Sequence, residues 1–351
     1  MRINKDQINI SRLKRLQFDF KRGKGHFLGY IKNRVIWHVY PRLHRTSKYP
    51  DHVDIEISSK CNMKCPMCYT NIKEFKKSVK KQFMSFEIFK KILDELTENQ
   101  IYSIRLSFRG EPFIHKDIIK MIRYAKEKGI KEVSTLSNIL ALKPDLFKEA
   151  MHAGLDWLTI SFDGTGETYE KIRKPAKFDE SYRKIKEYKR IKDKAKSIKP
   201  IIKVQSIWPA IKDNAETYYK LFEPYVDDIA VNPLYDYLHK DSEIIYEKNF
   251  DCPSIYQRLV ISSAGKALLC INDERGLYPI GDISKETIYE IWHGQKLTEV
   301  RRIHRNHEGL IRIKPCKDCY FPRQTYKTVE YVGEKKIHIN KLVNRTEEIG
   351  K

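Results

Sequence analysis

The 351 residues suffice for one large α/β domain with a smaller appendage, and 41% apolar content allows a sizeable core despite 32% charged residues. There is no run of eighteen apolar residues, and the basic start "MRINKDQINISRLKRLQ" leads into no apolar h-region, which sets aside a spanning helix and a secretory signal and points to a cytoplasmic protein. A formal charge of +22 fits an anionic partner (a membrane surface, nucleic acid or a phosphorylated substrate) or a solvated, Lys-rich face.

Half of that charge lies in residues 1–50, where 13 Lys/Arg face only Asp6 and Asp19, a local excess of 11. Aromatic residues are interleaved here (Phe18, Phe20, Phe27, Tyr30, Trp37, Tyr40), so this basic extension reads as a segment docked on the domain and a candidate attachment to an anionic membrane face. From residue 52 the pattern becomes regular. "HVDIEIS" is a short strand, and "SFEIFKKILDELTEN" is a helix with Ser85 at its N-cap. "YSIRLSF" (strand), "KDIIKMIRYAKEKG" (helix) and "KEVSTLS" (strand) follow. "KPDLFKEAMHAG" is a helix with Pro144 at its start and Gly154 past its end. Then come strand "LDWLTISFDG", helix "FDESYRKIKEYKRIKDKAK", strand "KPIIKVQSIW", helix "KDNAETYYKLFEPY" and strand "VDDIAVNPL".

Six strands alternating with helices argue for a parallel sheet with right-handed crossovers, and no GxGxxG follows the first strand. Residues 51–240 therefore read as a partial (β/α)6 TIM-like barrel, whose chemistry lies at the C-terminal ends of its strands. Beyond this the rhythm breaks. Residues 245–325 read as a small cysteine-rich second module with one helix at 285–303, and 326–351 as a polar tail.

All seven cysteines fall into two groups. Their odd number and metal-like spacing suit a reducing compartment. Cys61, Cys65 and Cys68 lie just after the first strand, in "EISSKCNMKCPMCYT". Three thiolates with no nearby histidine do not close a zinc finger, but on a cubane they leave one iron free to chelate a small molecule. The second group is Cys252, Cys270, Cys316 and Cys319, a CxxC with two distant partners that suits a zinc ribbon or an iron–sulfur cluster equally well.

The first loop resembles that of the radical S-adenosylmethionine (radical SAM) enzymes, including the Asn after the first Cys, the Pro after the second and the aromatic after the third. The resemblance implies a [4Fe–4S] cluster on Cys61, Cys65 and Cys68 whose open iron binds SAM. An injected electron then yields a 5′-deoxyadenosyl radical that takes a hydrogen from substrate. "FRGEPF" resembles the family's GGEP motif, with Arg109 in place of the first glycine, then Gly110, and Glu111 to accept from the SAM ammonium. "TLSNIL" resembles its TNG-type turn through Ser137 and Asn138, with Ile139 replacing the glycine. "TISFDG" places Ser161 and Asp163 toward the cofactor, Arg173 resembles an arginine for the SAM carboxylate, and Tyr69 would set its backbone against the adenine. Taken singly, Ser161, Asp163 and Asn138 are also ordinary strand–helix turn residues. Gln205 and Asn232 are substrate candidates, and no base is identified.

The second group resembles the SPASM or twitch modules of this family, with cysteines for one auxiliary [4Fe–4S] cluster. A fully ligated cluster accepts or relays an electron, which suits an oxidoreductase of the dehydrogenase type acting on a sugar, nucleotide-sugar or similar polar metabolite. The implied electron donor is a flavodoxin or ferredoxin. The alternatives are a radical SAM peptide or protein maturase and a zinc-containing nucleic-acid-binding protein. Against the latter, the basic region joins no recognisable nucleic-acid motif.

Overall fold

The computed structural model describes residues 12–350; residues 1–11 of the basic extension lie outside the described residues. Two helices come first, α1 (Arg12–Gly23) and α2 (Phe27–Val39). The barrel follows: β1 (His52–Ile55), α3 (Lys73–Ser78), α4 (Phe86–Glu98), β2 (Ser103–Arg105), α5 (Ile118–Glu127), β3 (Glu132–Ser137), α6 (Pro144–His152), β4 (Trp157–Ser161), α7 (Gly166–Ile172), α8 (Phe178–Lys194), β5 (Ile201–Ile207), α9 (Ala215–Phe222) and β6 (Asp228–Asn232). Adjacent strands β1 to β6 pair in parallel, with registers such as Val53 opposite Ile104 and Ser161 opposite Gln205. This is an α/β fold of the partial-barrel kind. Covered on both faces, its strands are apolar runs: Val53, Ile55, Leu158, Ile160 and Val204 are fully buried. Helix α4 shows the complementary pattern. Ser85 caps it by accepting from the Ile88 N–H, and Phe89, Ile92, Leu93 and Leu96 form its buried stripe.

Helices α1 and α2 close the amino-terminal ends of the strands. Phe18 packs edge-on against Trp157, the first residue of β4. Arg22 is bidentate to Glu132, the first residue of β3, at 2.7 Å on both arms. Lys21 reaches Asp227 ahead of β6, and Trp37 meets His52 at the start of β1. The cysteine loop lies at the opposite end of the strands.

Three features depart from the sequence reading. First, the C-terminal module continues the barrel sheet. After the short α10 (Ser254–Gln257), β7 (Arg258–Ile261) pairs in parallel with β1, β8 (Lys266–Leu268) pairs antiparallel with β7, and β9 (Pro279–Asp282) pairs antiparallel with β8. Among the described residues, nine strands thus form one sheet, ordered β6-β5-β4-β3-β2-β1-β7-β8-β9. Second, the helix expected over 285–303 is two, α11 (Ile288–His293) and α12 (Gln295–Arg305). The break is Gly294, extended at φ −61° and ψ 157°. A Thr287–Glu290 capping box starts the first helix. Third, the expected polar tail contains an antiparallel hairpin of β10 (Thr325–Val332) and β11 (Lys335–Leu342). Gly333 turns it at φ +58°, and Val332, Ile337 and Ile339 face the core. No helix among the described residues is long and apolar enough to cross a membrane.

Candidate functional site

The loop from β1 to α3 carries Cys61, Cys65 and Cys68, exposed, buried and half-buried respectively, all as free thiols. Main-chain bonds shape it. Cys68 N–H donates to the Cys65 carbonyl at 3.1 Å, Lys64 N–H to the Lys174 carbonyl at 2.9 Å, and Glu111 N–H to the Lys60 carbonyl at 2.8 Å. The β2 loop runs directly against it at Gly110. A Cβ there would stand 2.3 Å from the Lys60 carbonyl oxygen and 2.5 Å from that of Ser58. The close approach therefore belongs to Gly110, and Arg109 is free to turn away.

The strand-end residues converge on this loop. Glu111 is buried and accepts from Ser137 Oγ and Asn138 N–H at 2.8 Å each, and from Phe113 N–H at 3.1 Å. Burial nevertheless raises its pKa to about 7, because the three donors only partly offset the lost hydration. Asn138 Nδ2 donates to Asn62 Oδ1 at 2.9 Å and lies 3.8 Å from Cys61 Sγ. Ile139 takes the left-handed backbone a glycine would favour, at φ +56°, with its side chain buried. Tyr69 forms a 3₁₀ turn with Thr70 and Asn71, and its hydroxyl donates to the Phe108 carbonyl at 3.4 Å.

Two expected cofactor contacts are partly occupied by each other. Arg173 pairs with Asp163, which also accepts from Ile207 N–H at 2.9 Å, and Arg173 Nη1 lies 3.7 Å from Cys65 Sγ. Asp163 is thus a holder of Arg173 and of β5. Buried Arg173 Nε has no partner among the described residues, and an incoming carboxylate suits that donor. Ser161 ends β4, buried. Gln205 and Asn232 lie half-buried on β5 and β6.

Cys252, Cys270, Cys316 and Cys319 line one apolar cavity together with Leu269 and Phe321. Burial pushes the Cys252 thiol up to about 11 and Cys319 up to about 12, so metal loading must displace these protons. Among the described residues no three His, Cys, Asp or Glu groups stand close enough to share a single metal ion. Four thiols around one cavity could together hold a cluster. Polar groups already touch them: Asn272 Nδ2 donates to Cys319 Sγ at 3.2 Å, and His304 Nε2 lies 3.4 Å from Cys316 Sγ.

The sequence reading missed what joins the two cysteine groups. Arg109 is bidentate to Glu56 at 2.5 and 2.6 Å and donates to the Glu274 carbonyl at 3.1 Å, while Glu56 also accepts from Ser263 N–H at 2.8 Å. The available signal was a glutamate inside the apolar strand "HVDIEIS". A line of rings joins them as well. Tyr69, next to Cys68, meets Tyr237 at 5.4 Å, and Tyr237 meets Tyr320, next to Cys319, at 5.7 Å.

A partial barrel with a three-cysteine loop at the carboxyl end of its first strand is the architecture of radical SAM proteins. The Radical SAM superfamily profile matches residues 55–206, and that of SPASM, an iron–sulfur cluster-binding domain, matches 252–320. The chain thus carries a radical SAM domain and a SPASM domain, which imply a [4Fe–4S] cluster with SAM in the first and auxiliary iron–sulfur in the second. It is 30% identical over 116 residues to the 7,8-dihydro-6-hydroxymethylpterin dimethyltransferase of Methanocaldococcus jannaschii (32% of this chain, 22% of the relative). It is 30% identical over 118 residues to the PqqA peptide cyclase of Bradyrhizobium diazoefficiens (34% and 30%). The chain thus spans less than a third of the length of either relative. Among solved structures it is similar to BtrN in complex with AdoMet and 2-DOIA, with TM-score 0.53 and 17% identity over 77% of this chain and 92% of that one. It is also similar to Streptococcus suis SuiB bound to S-adenosylmethionine, with TM-score 0.54 and 13% identity over 83% and 77%. These last two likenesses concern the fold.

Proposed function

We propose that the protein is a radical SAM oxidoreductase of the dehydrogenase type, acting on a sugar, nucleotide-sugar or similar polar metabolite. The observation that carries this reading is the division of the cysteines into a loop set of three and a set of four around one cavity. A [4Fe–4S] cluster held by the three-cysteine loop would supply the electron for reductive cleavage of SAM. Cys61, Cys65 and Cys68 would hold it; Glu111, with Ser137 and Asn138, would receive the SAM ammonium, and Arg173 its carboxylate. Oxidising a secondary alcohol to a ketone removes two hydrogens. One would be abstracted as a hydrogen atom by way of cleaved SAM, and the other would leave as a proton to a base with its electron accepted by an auxiliary cluster held by Cys252, Cys270, Cys316 and Cys319. The tyrosine line between the two cysteine groups supports such an electron exchange. A flavodoxin or ferredoxin would be the external donor.

The second reading is a peptide or protein maturase, favoured by the similarity to the PqqA peptide cyclase. Against a peptide-binding role for the N-terminal segment, α1 and α2 are docked at the end of the barrel opposite the cysteines. Anaerobic turnover with SAM, a reductant and a panel of hydroxylated metabolites tests the first reading. It expects a ketone together with one 5′-deoxyadenosine per turnover; product from a precursor peptide alone would overturn it.

Glu111 makes a pH-dependent prediction. Its carboxyl is raised from the ordinary 4.5 to about 7, so it is largely protonated at pH 6 and ionised at pH 8. Only the carboxylate accepts fully from an ammonium. SAM affinity measured by equilibrium dialysis should rise about tenfold from pH 6 to pH 8, and Glu111→Gln should flatten the profile. Without SAM the sign reverses. The folded chain holds this proton more tightly than the unfolded chain, so this group's stabilisation is lost as pH rises through about 7.

A further inference from the structure

The N-terminal helices present two apolar faces, and only one meets the barrel. Phe18 and Tyr30 are buried, whereas Leu16 (66% exposed), Phe20 (64%), Leu28 (84%), Ile31 (45%), Val35 (52%) and Val39 (39%) are not. On α2 the last four recur three or four residues apart and so share one side. The ring of Phe20 lies 6.2 Å from that of Phe27, which joins the exposed stripes of α1 and α2 into a single surface. Such a patch marks an interaction site.

Its charge selects the occupant. Residues 20–50 contain no Asp or Glu. Lys21 and Arg22 are spent on Asp227 and Glu132, but Lys24, Lys32, Arg42 and Arg45 are exposed in the same segment as the apolar stripe. A second copy would set like charges against each other, and a nucleic acid would leave the leucines and valines without a partner. An anionic bilayer satisfies both features. We infer that α1 and α2 dock this face on an anionic lipid surface, with apolar side chains at the headgroup–acyl boundary and the cations against lipid phosphates. Because the same helices close the amino-terminal ends of the strands, docking holds the cysteine loop away from the membrane.

The test is co-sedimentation of the full, anaerobically loaded chain with vesicles of phosphatidylcholine alone or with about a third phosphatidylglycerol. The chain should sediment with the anionic vesicles only and be released by about 0.5 M salt. Lys24→Glu/Lys32→Glu/Arg42→Glu should weaken binding on the order of a hundredfold. Leu28→Glu/Val35→Glu should abolish it, with thermal melting and 5′-deoxyadenosine formation unchanged because these side chains are exposed. Absence of co-sedimentation, equal binding to neutral vesicles, or a dimer in light scattering that Leu28→Glu/Val35→Glu dissolves would overturn the inference.

Discussion

Replacing Cys61, Cys65 and Cys68 together with alanine abolishes 5′-deoxyadenosine formation from SAM under reducing conditions. The side chains nearest the thiols, Asn62, Asn138 and Arg173, are poor partners for iron, and the neighbouring carboxylates Glu111 and Asp163 are engaged by Ser137 and Asn138 and by Arg173. The fold should survive, because the bonds that shape the loop are made by main-chain atoms. Iron should fall from about eight per chain to about four, with the auxiliary cubane retained. Iron analysis, a thermal melt and chromatography of the reaction check these three points together. Replacing Cys252 and Cys319 should give the converse, with some SAM cleavage but no oxidised product. Unchanged 5′-deoxyadenosine in the triple variant would mean that the loop is not where SAM is cleaved.

Arg109→Leu has the largest expected effect on stability. Glu56 is fully buried and Arg109 is 8% exposed, so removing the guanidinium leaves a carboxylate with only the Ser263 N–H for compensation. Breaking a buried pair from one side costs about 3–5 kcal/mol. The damage should spread, because Glu56 extends β1, Ser263 follows β7 and Glu274 belongs to the SPASM domain. Denaturant midpoints of the loaded protein should drop sharply for Arg109→Leu and much less for Glu56→Gln/Arg109→Met, in which no charge is stranded. Equal midpoints for wild type and Arg109→Leu would show that the pair contributes little.

Arg109 also shows how far the sequence could be read. It departs from GGEP, yet the close backbone approach is at Gly110, which is present. What Arg109 does instead depends on Glu56 and Glu274, 53 positions before it and 165 after it. Local patterns carry no such information. The six barrel strands and the cysteine loop were legible because each is encoded within a few residues, by an apolar run or a fixed spacing. The pairing of β7 with β1 joins segments some 200 residues apart, so the SPASM strands read as a separate module. The hairpin at 325–342 was hidden differently. Its alternation runs through Lys, Glu and Thr, and one turn glycine is a weak signal among so many charges. Asp163 and Arg173 were named by position in the sequence, but their mutual pairing follows from the path of α7, which delivers Arg173 beside β4.

The most direct test of the central claim uses the wild-type chain, purified and reconstituted without oxygen. It should bind about eight irons and little zinc, and on reduction with SAM it should release 5′-deoxyadenosine and methionine. A chain that takes up zinc in place of iron, or that loads iron fully and yet leaves SAM intact under reduction, would contradict it.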